Sequence, residues 1–230
     1  IDLETATVES DNTVYAQLID RLGTQTVAEM AQRLGVSAID PTRPYGISLA
    51  LGAYEVSPLD MAAGYATLAN RGVRQPVTPI LRVLDRQGNV LEDHTTPEGE
   101  QVVDPTVADT VSDILQGVIT DGTGEAADIG RPAAGKTGTT QEYRAAWFAG
   151  YTPQLSTAVW MGYRDVPRPL VGIKGVGSVS GGSFPAETWG RFMSAAMAPL
   201  AVIDFVEPGP LPDLTPYSAV PLPEVEAEAV

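Results

Sequence analysis

The chain of 230 residues carries 29 acidic and 14 basic side chains, a formal charge of −15, 43% hydrophobic residues and no cysteine. That is apolar material for one domain of about 150–200 residues with additional chain, and the acidic balance excludes a protein that grips nucleic acid by its phosphates, because no basic excess drives counterion release. Without cysteine there is no disulfide, thiol nucleophile or cysteine-ligated zinc, and the single histidine, His94, lies in a Gly-, Pro-, Thr- and charge-rich stretch where a solvated loop residue is expected, which leaves little room for histidine triads or multi-histidine metal sites.

No run of eighteen apolar residues suggests a membrane span, and the opening Ile1-Asp2-Leu3-Glu4 is acidic where a signal peptide is basic. An opening with neither a start methionine nor a targeting segment leads us to expect that something upstream has been removed.

In chain order, Val14, Leu18 and Leu22 fall four apart and predict a short helix from Asn12 that stops at Gly23. Thr26-Val27-Ala28-Glu29 reads as a capping box that opens a second helix running to Gly35. A third has Ser57 as N-cap, Pro58 at the first helical position and Asp60 reaching back, and runs towards Gly72. Residues 78–84 and 90–91, joined by Arg86-Gln87-Gly88-Asn89, read as a hairpin. A helix starting at Asp104-Pro105 carries Val107, Val111, Ile114, Leu115 and Val118. Three strand-like runs follow, over 133–140, 146–151 and 155–163, the last two close enough to pair antiparallel. After a Gly- and Ser-rich stretch over 175–183, a last helix runs from Pro185 through Trp189 and Met193 to Met197. From Asp204 onward six prolines, six carboxylates and no Lys or Arg predict disorder. Helices first, antiparallel strands afterwards and a closing helix make an α+β domain over 1–203, its first 75 residues mainly helical and 76–203 the sheet part, with 204–230 as an acidic, Pro-rich tail.

Two readings compete for the segment Gly130-Arg131-Pro132-Ala133-Ala134-Gly135-Lys136-Thr137. Its letters match a phosphate-binding P-loop, which makes a nucleotide binder one alternative. A P-loop, however, lies between a buried strand and a helix whose N-terminus meets the phosphates, whereas residues 125–129 make a poor strand and an aromatic strand follows Thr140. Read from Lys136 instead, Lys-Thr-Gly-Thr on a strand puts Lys136 and Gly138 on one face and Thr137 and Thr139 on the other. An ammonium, hydroxyls and strand N–H groups can together fix a carboxylate and polarise a carbonyl, with Gly138 allowing close approach of a ligand backbone; a surface lysine in a strand is the plain alternative. Ser10-Asp11-Asn12, before the first of these helices, reads by itself as an ordinary N-cap.

Taken together, Ser-Asp-Asn and Lys-Thr-Gly stand in the order of the second and third motifs of the serine acyl-enzyme set. The sequence resembles the class A penicillin-binding proteins, specifically the C-terminal part of their transpeptidase domain, over about residues 1–205. The resemblance extends through residues 49–59 and 63–72, Asp121-Gly122-Thr123-Gly124, residues 135–140, Ala146 to Pro153, and Pro185-Ala186 with Trp189. It implies a penicillin-binding transpeptidase or serine β-lactamase-like fold, an antiparallel sheet flanked by helices with a helical subdomain, here incomplete. No Glu-x-x-Leu-Asn, the deacylating motif of class A β-lactamases, occurs. One departure is Ala145, where the family has an aspartate, so the ion pair made there is lost or replaced through Arg144. The other is the nucleophile: the only lysines are Lys136 and Lys174, and Ala133 and Val171 stand three residues before them, so no Ser-x-x-Lys is present.

The resemblance implies acyl transfer on cell-wall stem peptides ending in D-Ala-D-Ala at the extracytoplasmic face of a bacterial membrane, with β-lactams as further ligands and no cofactor or metal. It carries over Ser10 as proton relay to the leaving amine, Asn12 as partner of the substrate amide and Lys136 as the charge supporting Ser10. Thr137 and Thr139 would bind the terminal carboxylate, and the Thr139 N–H would complete an oxyanion hole. The chain by itself is expected to be inactive, marginal or aggregating, and to need an upstream chain that carries Ser-x-x-Lys. A non-catalytic module that binds peptidoglycan or a partner protein is the other alternative.

Overall fold

The computed structural model describes residues 1–211 and Ile1 opens directly into a helical region. Three helices come first: α1 (Leu3–Val8), α2 (Asn12–Leu22) and α3 (Thr24–Leu34). Asp11 caps α2 by accepting from the Thr13 and Val14 N–H groups at 2.7 and 3.2 Å. Gly23 ends α2 and begins α3 at once: its N–H bonds to the Ile19 carbonyl and its own carbonyl accepts from Val27. Its φ of 84° is open to glycine at little cost. The expected capping box at Thr26 is therefore not the start of α3; the helix begins three residues earlier, at Thr24 rather than Val27, because Gly23 supplies the boundary.

Helix α4 (Pro58–Ala69) has the capping box read from sequence, with the Ser57 hydroxyl accepting from the Asp60 N–H at 3.0 Å and the Asp60 carboxylate reaching back. Ser57→Ala is expected to cost about 1 kcal/mol, read as a lowered urea midpoint; an unchanged midpoint would show that packing alone sets the start of α4. The strand pair β1 (Val73–Arg74) and β4 (Glu100–Gln101) brackets an exposed hairpin of β2 (Arg82–Leu84) and β3 (Val90–Asp93), shorter than the run expected from residue 78. Helix α5 (Pro105–Thr120) starts as expected, with Asp104 accepting from Thr106 and proline at the first position.

The sheet that carries the site has the order β5-β6-β7, formed by β5 (Ala134–Thr139), β6 (Ala145–Thr152) and β7 (Leu155–Gly162), antiparallel throughout. Each face is covered by helix, as an α+β layer arrangement requires. On one face Phe148, fully buried, meets Trp189 of α6 (Phe184–Met197) edge-on at 5.2 Å, and Met193 and Met197 complete that core. On the other, Tyr151 packs with Leu115 and Val118 of α5 and Tyr65 of α4. The Tyr151 hydroxyl is satisfied by Ser112 at 2.8 Å, as a buried phenol requires. A small hairpin pairs β8 (Val171–Ile173) with β9 (Val176–Ser178), which lies at the start of the glycine-rich stretch.

Phe205 packs against the sheet. Its ring meets Tyr151 edge-on at 5.6 Å, within the stretch read as disordered from residue 204. One aromatic contact holds chain that an averaged composition assigns to solvent. The rest of the acidic tail, from 212, lies outside the described residues.

Candidate active site

Lys136 sits in the middle of β5, paired across to Ala149, so its side chain leaves the sheet on the Tyr151 face. There its ammonium donates to Ser10 Oγ at 2.6 Å and to the Thr137 carbonyl at 3.2 Å. Ser10 reaches it from the turn between α1 and α2, held at a φ of 61° that only a few per cent of non-glycine residues adopt. The turn is fixed from both sides: the Asp11 N–H bonds back to the Ala6 carbonyl at 2.8 Å, and the Asp11 carboxylate caps the next helix. A motif that reads as a plain helix cap thus uses Asp11 as the cap and leaves Ser10 turned towards Lys136. Among the described residues no carboxylate meets the ammonium. Burial without a counter-charge pulls the Lys136 pKa down from 10.5 to about 8.

Asn12, first residue of α2, is exposed on the same turn. Thr137 and Thr139 leave β5 on the opposite face. The two sets of groups meet at the edge of the strand. β5 is the terminal strand of its sheet, and the Thr140 N–H bonds inward to the Ala145 carbonyl at 3.0 Å. By the period of two, the N–H and C=O groups of Thr139 and Thr137 then point outward to the unpaired edge. An acyl group lying along this edge meets the Thr139 N–H directly, with the Ser10–Lys136 pair on one side and the threonine hydroxyls on the other.

Gly138 pairs with Trp147, and a Cβ added to it would lie 3.2 Å from the Trp147 Cβ, so the absent side chain avoids a tight cross-strand contact. The hydroxyl of Thr139 accepts from the Gly181 N–H at 2.9 Å, and that of Thr137 lies 2.6 Å from the Thr123 hydroxyl. Neither Thr123 nor Gly181 was singled out as a site residue from sequence, although both lie in glycine-containing runs, Asp121 to Gly124 and Gly175 to Ser183, that signal close backbone approach. The approach is tight. A Cβ on Gly181 would lie 2.4 Å from the Trp147 carbonyl oxygen and 2.7 and 2.8 Å from the Gly138 carbonyl oxygen and nitrogen, all backbone atoms that cannot swing aside. Gly181→Ala is accordingly expected to destabilise the fold by about 3 kcal/mol in chemical denaturation; a change below 1 kcal/mol would mean that the start of α6 shifts freely.

At position 145, where the ion pair is expected to be lost or replaced through Arg144, no pair forms across the strand among the described residues. Arg144 pairs with Glu142 at 2.5 Å, and the Ala145 N–H is held by the Thr140 hydroxyl at 2.8 Å. The P-loop alternative has no structural counterpart: Gly130 sits in a turn, β5 runs extended through Lys136, and a short 3-10 turn over Gln141–Tyr143 follows instead of an α-helix. Without a loop whose N–H groups converge, there is no phosphate cradle. His94 lies at the exposed hairpin beside Glu92.

Residues 1–186 match the family described as the penicillin binding protein transpeptidase domain. Penicillin-binding protein 1A of Aquifex aeolicus is 38% identical over 171 residues, 74% of this chain and 23% of that protein. Penicillin-binding protein 1A of Mycolicibacterium smegmatis is 35% identical over 229 residues, 91% of this chain and 29% of that protein. The chain thus spans about a quarter of the length of these curated relatives. Among solved structures, PonA1 of Mycobacterium tuberculosis in complex with penicillin V superimposes with a TM-score of 0.83 at 31% identity, covering 91% of this chain and 60% of that one. With its fold, two of the three expected motifs in contact and a match over most of its length, the chain belongs to the penicillin-binding protein transpeptidase family.

Proposed function

We propose that the chain is the part of a peptidoglycan D,D-transpeptidase that supplies the second and third motifs of a serine acyl-enzyme site. The observation that carries this reading is the 2.6 Å contact between Lys136 and Ser10, which joins two motifs 126 residues apart. The serine of a Ser-x-x-Lys segment, absent from these 230 residues, gives its proton to the lysine of that segment as it attacks the carbonyl between the last two D-alanines. The C–N bond breaks, D-alanine leaves with a proton on its amine, and the acyl group stays on the serine until an amine of a neighbouring peptide, or water in the hydrolytic variant, takes it.

In this reading each group has a direction. Because the Lys136 ammonium donates to Ser10 Oγ, the Ser10 proton is uncommitted and is available to the leaving nitrogen. A lysine with a pKa near 8 replaces that proton without a large uphill step near neutral pH. The Thr139 N–H, on the free edge of β5, faces the developing oxyanion, and one such donor is worth about 3 kcal/mol in the transition state. Asn12 holds the substrate amide, and Thr137 with Thr139 holds the terminal carboxylate, whether of a stem peptide or of a β-lactam such as the penicillin V seen with the PonA1 relative. The substrate places this chemistry at the extracytoplasmic face of a bacterial membrane.

The test uses the protein in which this chain is joined to its Ser-x-x-Lys segment. Given a D-Ala-D-Ala peptide and an amine acceptor, it is expected to release D-alanine and form the new amide. Binding without any release would favour the non-catalytic peptidoglycan-binding module and overturn the enzymatic reading.

A further inference from the structure

Two hydroxyls on one face of β5 recognise a carboxylate well only if both present their protons to it. For Thr139 the fold settles this. The Gly181 N–H can only donate, so Thr139 Oγ1 accepts at 2.9 Å and its own proton is left for a ligand. For Thr137 the matter rests on Thr123, whose hydroxyl lies 2.6 Å away and for which no other partner is recorded among the described residues. Either hydroxyl of that pair can donate in the free protein. An acceptor-only anion at Thr137 forces one polarity: Thr123 donates to Thr137, and Thr137 donates to the anion, each bond strengthening the next.

Thr123 is held for this by backbone rather than by side chains. It follows the end of α5, where the Gly124 N–H closes on the Val118 carbonyl at 2.8 Å. Its own carbonyl lies 2.2 Å from where a Cβ on Gly182 would stand, so only glycine lets the start of α6 pass over it. The Gly181-Gly182 pair therefore sets the polarity of Thr139 and makes room for Thr123 beside Thr137.

We propose that Thr123 is a positioning residue that orients the Thr137 hydroxyl as a donor, and so makes the site select a ligand carboxylate over a neutral ester or amide at the same place. The inference rests on the acyl-transfer reading above. Its experiment compares Thr123→Val and Thr123→Ser in the protein that also carries Ser-x-x-Lys, by the second-order rate of acylation with penicillin V and with its uncharged methyl ester. Thr123→Val is expected to slow acylation by the free acid about tenfold while leaving the ester unchanged, and Thr123→Ser is expected to restore the acid rate. An equal loss with both ligands, no loss with either, or a serine variant as slow as the valine would overturn the proposal. Failure of the unmutated protein to be acylated by either ligand would instead overturn the acyl-transfer reading on which it rests.

Discussion

Incubated with penicillin and weighed intact under denaturing conditions, the 230-residue chain by itself is expected to gain no mass, whereas the same chain assembled with a Ser-x-x-Lys segment gives one penicilloyl adduct, on that segment. The reason is the direction of the hydrogen bond at Ser10. At neutral pH Lys136 is mostly an ammonium, and it donates to Ser10 Oγ; among the described residues nothing accepts the serine proton, so the hydroxyl is set as an acid and not as a nucleophile. Neither lysine has a serine three residues earlier, so one helical turn nowhere brings a serine hydroxyl to a lysine amine. The expected contrast is all-or-none. An adduct on Ser10 of the chain alone would make the Ser10–Lys136 pair a self-sufficient nucleophilic site and would reverse the roles assigned to both.

Local chemistry was legible where a single residue type decides a boundary. Ser57 with Asp60, and Asp104 before Pro105, announced α4 and α5 because capping satisfies N–H groups that the helix itself cannot. The β6–β7 pair was legible because its turn is two residues long, Pro153-Gln154, between apolar runs. The short α1, the start of α3 and the β8–β9 hairpin were not, since six residues carry too little period to read and glycine signals a break without saying which kind. In the site, Ser10 and Lys136 were legible only as a pair of motifs. Their contact is tertiary, made by packing the α1–α2 turn against the face of β5, and no spacing encodes it. The Thr123–Thr137 contact is hidden in the same way: it arises because α5 lies along β5 and ends beside it, which only the folded sheet specifies. Phe205 escaped because one anchoring ring is lost in the average of an acidic, Pro-rich stretch.

Lys136→Met is expected to give a protein that is more stable at pH 7 and slower in acylation by about a hundredfold or more. The activity loss follows from removing the donor that supports Ser10 in protonating the leaving amine. The stability gain follows from burial. In the unfolded chain Lys136 has its ordinary pKa of 10.5; in the fold it falls to about 8 because burial strips water from the ammonium. Below pH 8 both states carry the proton, and folding bears the full cost of burying the charge. Between pH 8 and 10.5 the unfolded chain binds a proton that the native state has released, so stability rises with pH across that window. Methionine has nearly the same length and no charge, and removes the cost at every pH; the gain at pH 7 is on the order of 2–3 kcal/mol, less what the bonds to Ser10 and the Thr137 carbonyl contribute. Both bonds are only part-buried, which keeps that subtraction small. Urea denaturation of the assembled protein at pH 7 and pH 10 checks the argument. The unmutated protein is expected to be more stable at pH 10 than at pH 7 by about that amount, apart from a background that both proteins share, and the variant to lack this increment. A variant less stable than its parent at pH 7, with the pH increment retained, would show that Lys136 is held by favourable contacts that outweigh its burial, and that the site is not bought at the expense of the fold.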